Sequence, residues 1–187
     1  MNKDIIIGTA QMYREYGIAN KNIINDQEIN SIFSQIKRYS FKYIDTANSY
    51  QNDKLVSNHY KNDDNLNYIY KIDKNTDKQI DQIINEALTM YGSYPNTVLA
   101  HSIKMYTDSK FTEICLKLKK EKKIKKFGIS VYDKNEIQMA ISYHKPDIIQ
   151  LPMNIVDKRL LENGSINFLK ELSIEIHVRS IFLQGLL

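Results

Sequence analysis

The chain has 187 residues, 42% of them hydrophobic and 26% charged, with a formal net charge of +4. That length suits one domain with a sizeable core, and that apolar content excludes a disordered chain. No run approaches the roughly 18 apolar residues of a membrane-spanning helix, and MNKDIIIGTA is too short an apolar start for a signal peptide, so a cytosolic protein is expected.

In chain order, IIIGTAQ from Ile5 reads as a first strand. DQEINSIFSQIKRY follows as a helix, with Ile29, Ile32, Phe33 and Ile36 on one face. KYIDTA from Lys42 is a second strand, DKLVSNHY a short helix, and NYIYKI from Asn67 a third strand. KQIDQIINEALTMY repeats the helical spacing with Ile80, Ile83, Ile84, Ala87 and Leu88. TVLAHS from Thr97 is the fourth strand, and a helix runs around Phe111, Ile114, Cys115 and Leu118. KFGISV from Lys126, the helix KNEIQMAISY, DIIQLP from Asp147, a helix from Arg159 to Leu172 and EIHVRSIF from Glu175 complete the series.

Three features are assigned bland roles. Cys115, the single cysteine, excludes an internal disulfide, gives no metal-ligand spacing and falls on an apolar helix face. The run from Lys117 to Lys126, with Lys119, Lys120, Lys122, Lys123 and Lys125, has no interleaved aromatics. It is taken as a solvated helix end favoured by the dipole rather than a nucleic-acid surface. Asn163-Gly164-Ser165 is taken as a turn.

Seven strands alternating with six helical stretches indicate an α/β protein with a parallel sheet. An open doubly wound sheet or a (β/α)8 barrel would fit. The first strand-to-helix turn holds only Gly8 and Gly17, not the Gly-rich phosphate fingerprint of a dinucleotide-binding Rossmann domain. In a barrel, polar residues at the C-terminal strand ends share one mouth. Here those residues are Asp45, Lys71, His101, Ser130 and Gln150.

Asp45, Tyr50, Lys71 and His101 make a chemically sensible set for carbonyl reduction. A phenol titrates near pH 10 in water, and a neighbouring ammonium favours its ionised form, which suits a proton donor at neutral pH. A carboxylate holds the lysine, a histidine orients the carbonyl, and hydride must come from a bound cofactor. Taken singly, Asp45 could be a helix N-cap, Tyr50 a packing residue and His101 a core histidine.

The motifs resemble those of the aldo/keto reductase family. IDTANSY is similar to its DTA-x-x-Y motif, with Asp45 and Tyr50 in place. YIYKID resembles the strand ending in the active-site lysine, Lys71, and VLAHS the strand ending in the active-site histidine, His101. KKIKKFGISVY and IIQLPMNIVDKRLL resemble the segments whose serine and glutamine hold the nicotinamide carboxamide, Ser130 and Gln150. RSIFLQGLL resembles the segment that stacks on the nicotinamide and lies near the pyrophosphate, bringing Arg179 and Ser180. GTAQMYREYGIAN resembles the family's opening strand and turn. The resemblance implies a (β/α)8 barrel over residues 1–187. It also implies NADP(H), with NAD(H) as the alternative, and reduction of an aldehyde or ketone. Tyr50 would be the general acid, Lys71 would lower its pKa, Asp45 would pair with Lys71, and His101 would orient the carbonyl. A keto-sugar or small aldehyde is the expected substrate, by similarity to bacterial members active around sugar and polysaccharide metabolism.

Three departures stand out. Gln51 occupies the position of a usual glycine, and Asn52-Asp53 that of Ser/Asn-Glu. Arg179 stands where an aromatic ring is usual, and a guanidinium can also stack on a flat ring. The chain stops after its seventh strand, so a barrel without its last β/α unit is expected. Its edge strands would be open to pairing with another chain. The alternative function is a non-catalytic relative that binds a cofactor or partner.

Overall fold

A computed structural model describes residues 5–13, 15, 17, 23–61, 63–73 and 78–186; part of the turn after the first strand, with its GTAQMYREYGIAN resemblance, lies outside them. The strands are β1 (Ile6–Gly8), β2 (Tyr43–Ala47), β3 (Asn67–Ile72), β4 (Thr97–Ala100), β5 (Lys126–Ser130), β6 (Ile148–Pro152) and β7 (Glu175–Arg179). Every neighbouring pair is parallel, and the sheet runs from β1 to β7 in chain order. The helices are α1 (Asp26–Arg38), α2 (Asp53–Tyr60), α3 (Ile80–Tyr91), α4 (Ile103–Tyr106), α5 (Ser109–Lys120), α6 (Lys134–Tyr143), α7 (Arg159–Glu162) and α8 (Ser165–Glu171). The sheet curls into an incomplete (β/α)8 barrel.

All six connections are helical, but two hold a pair of helices where the sequence suggests one. After β4, the Ser102 side chain caps α4, and Asp108 then starts α5 by accepting from the Lys110 amide. After β6, Gly164 takes a left-handed φ of 80° between α7 and α8, and Asn163 Oδ1 accepts from the Ser165 amide and hydroxyl. The Asn163-Gly164-Ser165 segment is thus a turn inside the expected helix. Asn25 and Glu28 form a capping box at the start of α1, whose last turn carries Lys37 and Arg38, the charge order the helix dipole favours.

Side-chain alternation along the strands divides the core in two. Outward residues such as Tyr68, Tyr70, Ile72, Val98, Phe127 and Ile149 pack under the helices in one large apolar cluster. Inward, Ile69, Leu99 and Ile148 form a small cluster with Ile6 and Tyr43. Gly128 permits a close approach of β5 to β6, since a Cβ there would lie 1.9 Å from the Ile148 carbonyl oxygen. Cys115 is fully buried. The lysine run ends α5, and its charges are partly matched, Lys119 by Asp147, Lys123 by Glu121 and Lys126 by Glu175.

Candidate active site

The period of two that buries Ile69, Leu99 and Ile148 also turns Asp45, Lys71, Ser130, Gln150 and Arg179 inward at the C-terminal strand ends, with His101 directly after β4. Asp45, Lys71, Ser130 and Gln150 are all buried. A buried charge needs a partner, and Lys71 Nζ and Asp45 Oδ1 form an ion pair. The other Asp45 oxygen accepts from Gln150 Nε2 at 2.7 Å, so one carboxylate ties β2, β3 and β6 together across the interior. Burial pulls Lys71 toward neutrality, but Asp45 and Tyr50 together outweigh it and hold its pKa above the usual lysine value.

Tyr50 ends a 3-10 turn, Asn48–Tyr50, directly after β2. Lys71 Nζ lies 5.3 Å from the centre of its ring, and the Tyr50 side chain is also a hydrogen-bonding partner of that ammonium. Asn48 fixes the turn by accepting from the Asp73 amide and donating to the Asp73 carbonyl, both at 2.8 Å. Gln51 follows with φ 59°, a left-handed conformation that glycine adopts more easily. The side chain of Asn52 donates to the carbonyls of Thr9 and Met12, each at 2.9 Å, which ties this loop to the end of β1.

Asp53 is buried beneath the turn. It accepts from the hydroxyls of Tyr70 at 2.7 Å and Tyr91 at 2.8 Å. Burial raises its pKa, opposed by the hydroxyls of Tyr70, Tyr91 and Thr46. These contacts join α2, β3 and α3 behind the loop that carries Tyr50.

His101 meets the Tyr50 ring edge-on, with centroids 6.3 Å apart. Its Nδ1 lies 3.3 Å from Ser49 Oγ and 3.6 Å from Asp73 Oδ2. Burial first and then the Lys71 charge push its pKa down, Asp73 and Asp45 resist, and Arg179 adds to the fall, so the net shift is downward. Tyr50, Ser49 and Gln51 line an open cavity of about 370 Å³ together with Tyr13 and Glu15. A second cavity, about 340 Å³, opens at the far end of the strands, around Tyr43, Lys126 and His177, away from this chemistry.

Ser130 and Gln150 are register partners on β5 and β6. Arg179 crosses the mouth from β7. Its Nε donates to Ser130 Oγ at 3.2 Å, Nη2 to the Val131 carbonyl at 3.2 Å and Nη1 to Ser180 Oγ at 3.4 Å. Its guanidinium carbon stacks 4.2 Å from the centre of the Tyr132 ring. Gln150 Oε1, by contrast, is buried without a hydrogen-bond partner among the described residues.

Every site position named from the sequence falls at this mouth, in two connected groups. Asp45, Tyr50, Lys71 and His101 form one, and Ser130, Arg179 and Ser180 the other, with Gln150 between them. The sequence reading missed Asn48, Ser49 and Tyr132, and it singled out Asn52 and Asp53 only as departures from the family pattern, not as anchors of the Tyr50 loop. Asn48 and Ser49 lie inside the DTA-x-x-Y segment and could have been found there; nothing local marks Tyr132. The described residues contain no group of three or more His, Cys, Asp or Glu side chains able to hold a metal ion, and no helix long and apolar enough to cross a membrane.

A parallel barrel with a polar site at the C-terminal strand ends defines an enzyme-like (β/α)8 architecture. The aldo/keto reductase family model matches residues 4–187, and the chain belongs to that oxidoreductase family. Its fold is similar to that of an aldo-keto reductase of Pseudomonas aeruginosa, at 17% identity and a TM-score of 0.77 over 95% of this chain and 73% of the other. The holo form of an aldo-keto reductase from Bacillus halodurans gives 18% identity and a TM-score of 0.78, covering 98% of this chain and 64% of its own. A Bombyx mori aldo-keto reductase in complex with NADP gives 18% and 0.72, covering 95% and 62%. No curated protein matches the chain significantly.

Proposed function

We propose that the chain reduces a small aldehyde or ketone with a nicotinamide cofactor, NADP(H) in preference to NAD(H), and with Tyr50 as the general acid. The observation that carries this reading is the buried Lys71 ammonium held between Asp45 and Tyr50. An ammonium beside a phenol stabilises the phenolate left when the proton departs, which makes the phenol a better acid. Asp45 keeps the ammonium charged and in place, and Gln150 fixes the second carboxylate oxygen.

His101 is suited to orienting the carbonyl. Burial and the Lys71 charge lower its pKa, which favours the neutral ring. In the tautomer with its proton on Nε2, Nδ1 accepts from the Ser49 hydroxyl and the Nε2 proton is free to be donated to a carbonyl oxygen. The cavity beside Tyr50 suits a small polar substrate.

The residues present also fit a nicotinamide carboxamide. Gln150 Oε1 lacks a donor, which an amide N–H would supply. Ser130 Oγ accepts from Arg179 and retains its own hydrogen to donate to an amide carbonyl. When bound, the cofactor supplies hydride. Fluorescence titration with NADPH tests this assignment. Saturable binding is expected, weakened about tenfold or more in Gln150→Leu, the size of losing a buried hydrogen-bond partner. Unchanged affinity in Gln150→Leu, or no binding to the unaltered chain, would contradict it.

A further inference from the structure

We infer that Arg179 makes the site selective for the oxidation state of its cofactor, holding the neutral dihydronicotinamide more tightly than the cationic nicotinamide. This rests on the nicotinamide reading above. Three hydrogen bonds fix the guanidinium, and all go to neutral oxygens: Ser130 Oγ, Ser180 Oγ and the Val131 carbonyl. Tyr132 stacks on its face, and no carboxylate pairs with it among the described residues. Its charge is therefore held in place without local compensation. The Lys71 charge, by contrast, is matched by Asp45.

The position of this charge matters because its hydrogen-bond partner Ser130 is the register neighbour of Gln150, and Gln150 in turn touches Asp45 beside Lys71 and Tyr50. A ring anchored at Ser130 and Gln150 and reaching toward Tyr50 lies within the guanidinium's field. That field extends to the reacting groups, for Arg179 helps depress the pKa of His101 across the mouth. The two forms of the cofactor share their phosphates and sugars and differ in ring charge, so a fixed cation separates them by Coulomb repulsion alone. Arg179 would thus favour loading of the reduced form and release of the oxidised form, at the expense of the hydride-transfer step, which builds the same positive charge on the ring.

The test is a pair of equilibrium titrations, NADPH and NADP+, on the unaltered chain and on Arg179→Gln and Arg179→Lys. A preference for NADPH on the order of tenfold is expected in the unaltered chain and in Arg179→Lys, which keep the charge, the size expected of a partly screened like-charge pair. It should collapse toward equal affinity in Arg179→Gln, which keeps hydrogen-bonding capacity but not charge. Equal affinities in the unaltered chain, or an undiminished preference in Arg179→Gln, would overturn the inference while leaving the nicotinamide reading intact. Failure of both forms to bind the unaltered chain would overturn both.

Discussion

Lys71 and Asp45 are worth most as a pair. Among the described residues, Lys71→Met leaves a buried carboxylate with only Gln150 as a side-chain donor, and breaking a buried pair in this way costs about 3–5 kcal/mol. Adding Asp45→Asn removes the stranded charge, so urea unfolding should show the double variant more stable than Lys71→Met alone. Asp53→Ala should cost about 1–3 kcal/mol for each buried hydroxyl, Tyr70 and Tyr91, that loses its acceptor. His101 supplies a pH dependence. Its folded pKa lies below the ordinary 6.5, chiefly because of burial and the Lys71 charge. The unfolded chain therefore takes up the proton first as pH falls, and the folded state loses stability below 6.5, with no such loss above it. Unfolding midpoints on either side of that pH should diverge in the unaltered chain and converge at this step in His101→Gln. Asp45, Lys71 and Gln150 were legible in the sequence because a strand's period of two turns its polar end residues to one side. Asp53 was not, since its partners Tyr70 and Tyr91 lie on other elements, and no local pattern marks Tyr132 as the ring under Arg179.

At the level of the elements, β5 tolerates no side chain at Gly128. Gly128→Ala drives a methyl group into the Ile148 carbonyl, a backbone clash that no rotamer relieves, and circular dichroism should show loss of the cooperative transition. Gly164→Ala meets open space but must hold a left-handed φ of 80°; it should cost only about 1 kcal/mol. The strands were readable because buried parallel strands are short, nearly continuous runs of Ile, Val and Tyr. The paired helices after β4 and β6 were not. Their breaks depend on single side chains, Asp108 and Asn163, closing local hydrogen bonds within otherwise helical stretches.

For the molecule as a whole, burial is uneven across the sheet. Strands β2 to β6 are almost wholly buried, whereas β1 and β7 are mostly half-exposed. Amide hydrogen exchange should therefore be slowest in β3 to β5 and distinctly faster in β1 and β7, because local opening exposes less apolar surface there. Both outer strands still serve the site. β7 supplies Arg179, and Asn52 anchors the Tyr50 loop through the carbonyls of Thr9 and Met12 after β1. The barrel architecture and the family follow from the alternation and motifs of the sequence, but the contact that joins the two halves of the mouth, Gln150 to Asp45, spans 105 residues and appears only on folding.

The central claim is that Tyr50 donates the proton in a nicotinamide-dependent carbonyl reduction. Its most direct test follows carbonyl-dependent loss of NADPH absorbance across a set of small aldehydes and ketones, in the unaltered chain and in Tyr50→Phe, with NADPH affinity measured alongside. The account predicts turnover in the unaltered chain, a fall of about a hundredfold or more in Tyr50→Phe, the scale of a lost general acid, and nearly equal NADPH affinity in both. A Tyr50→Phe chain that reduces carbonyls at the unaltered rate would contradict the assignment of Tyr50, and an unaltered chain that binds NADPH but reduces no carbonyl in the set would contradict the proposed activity.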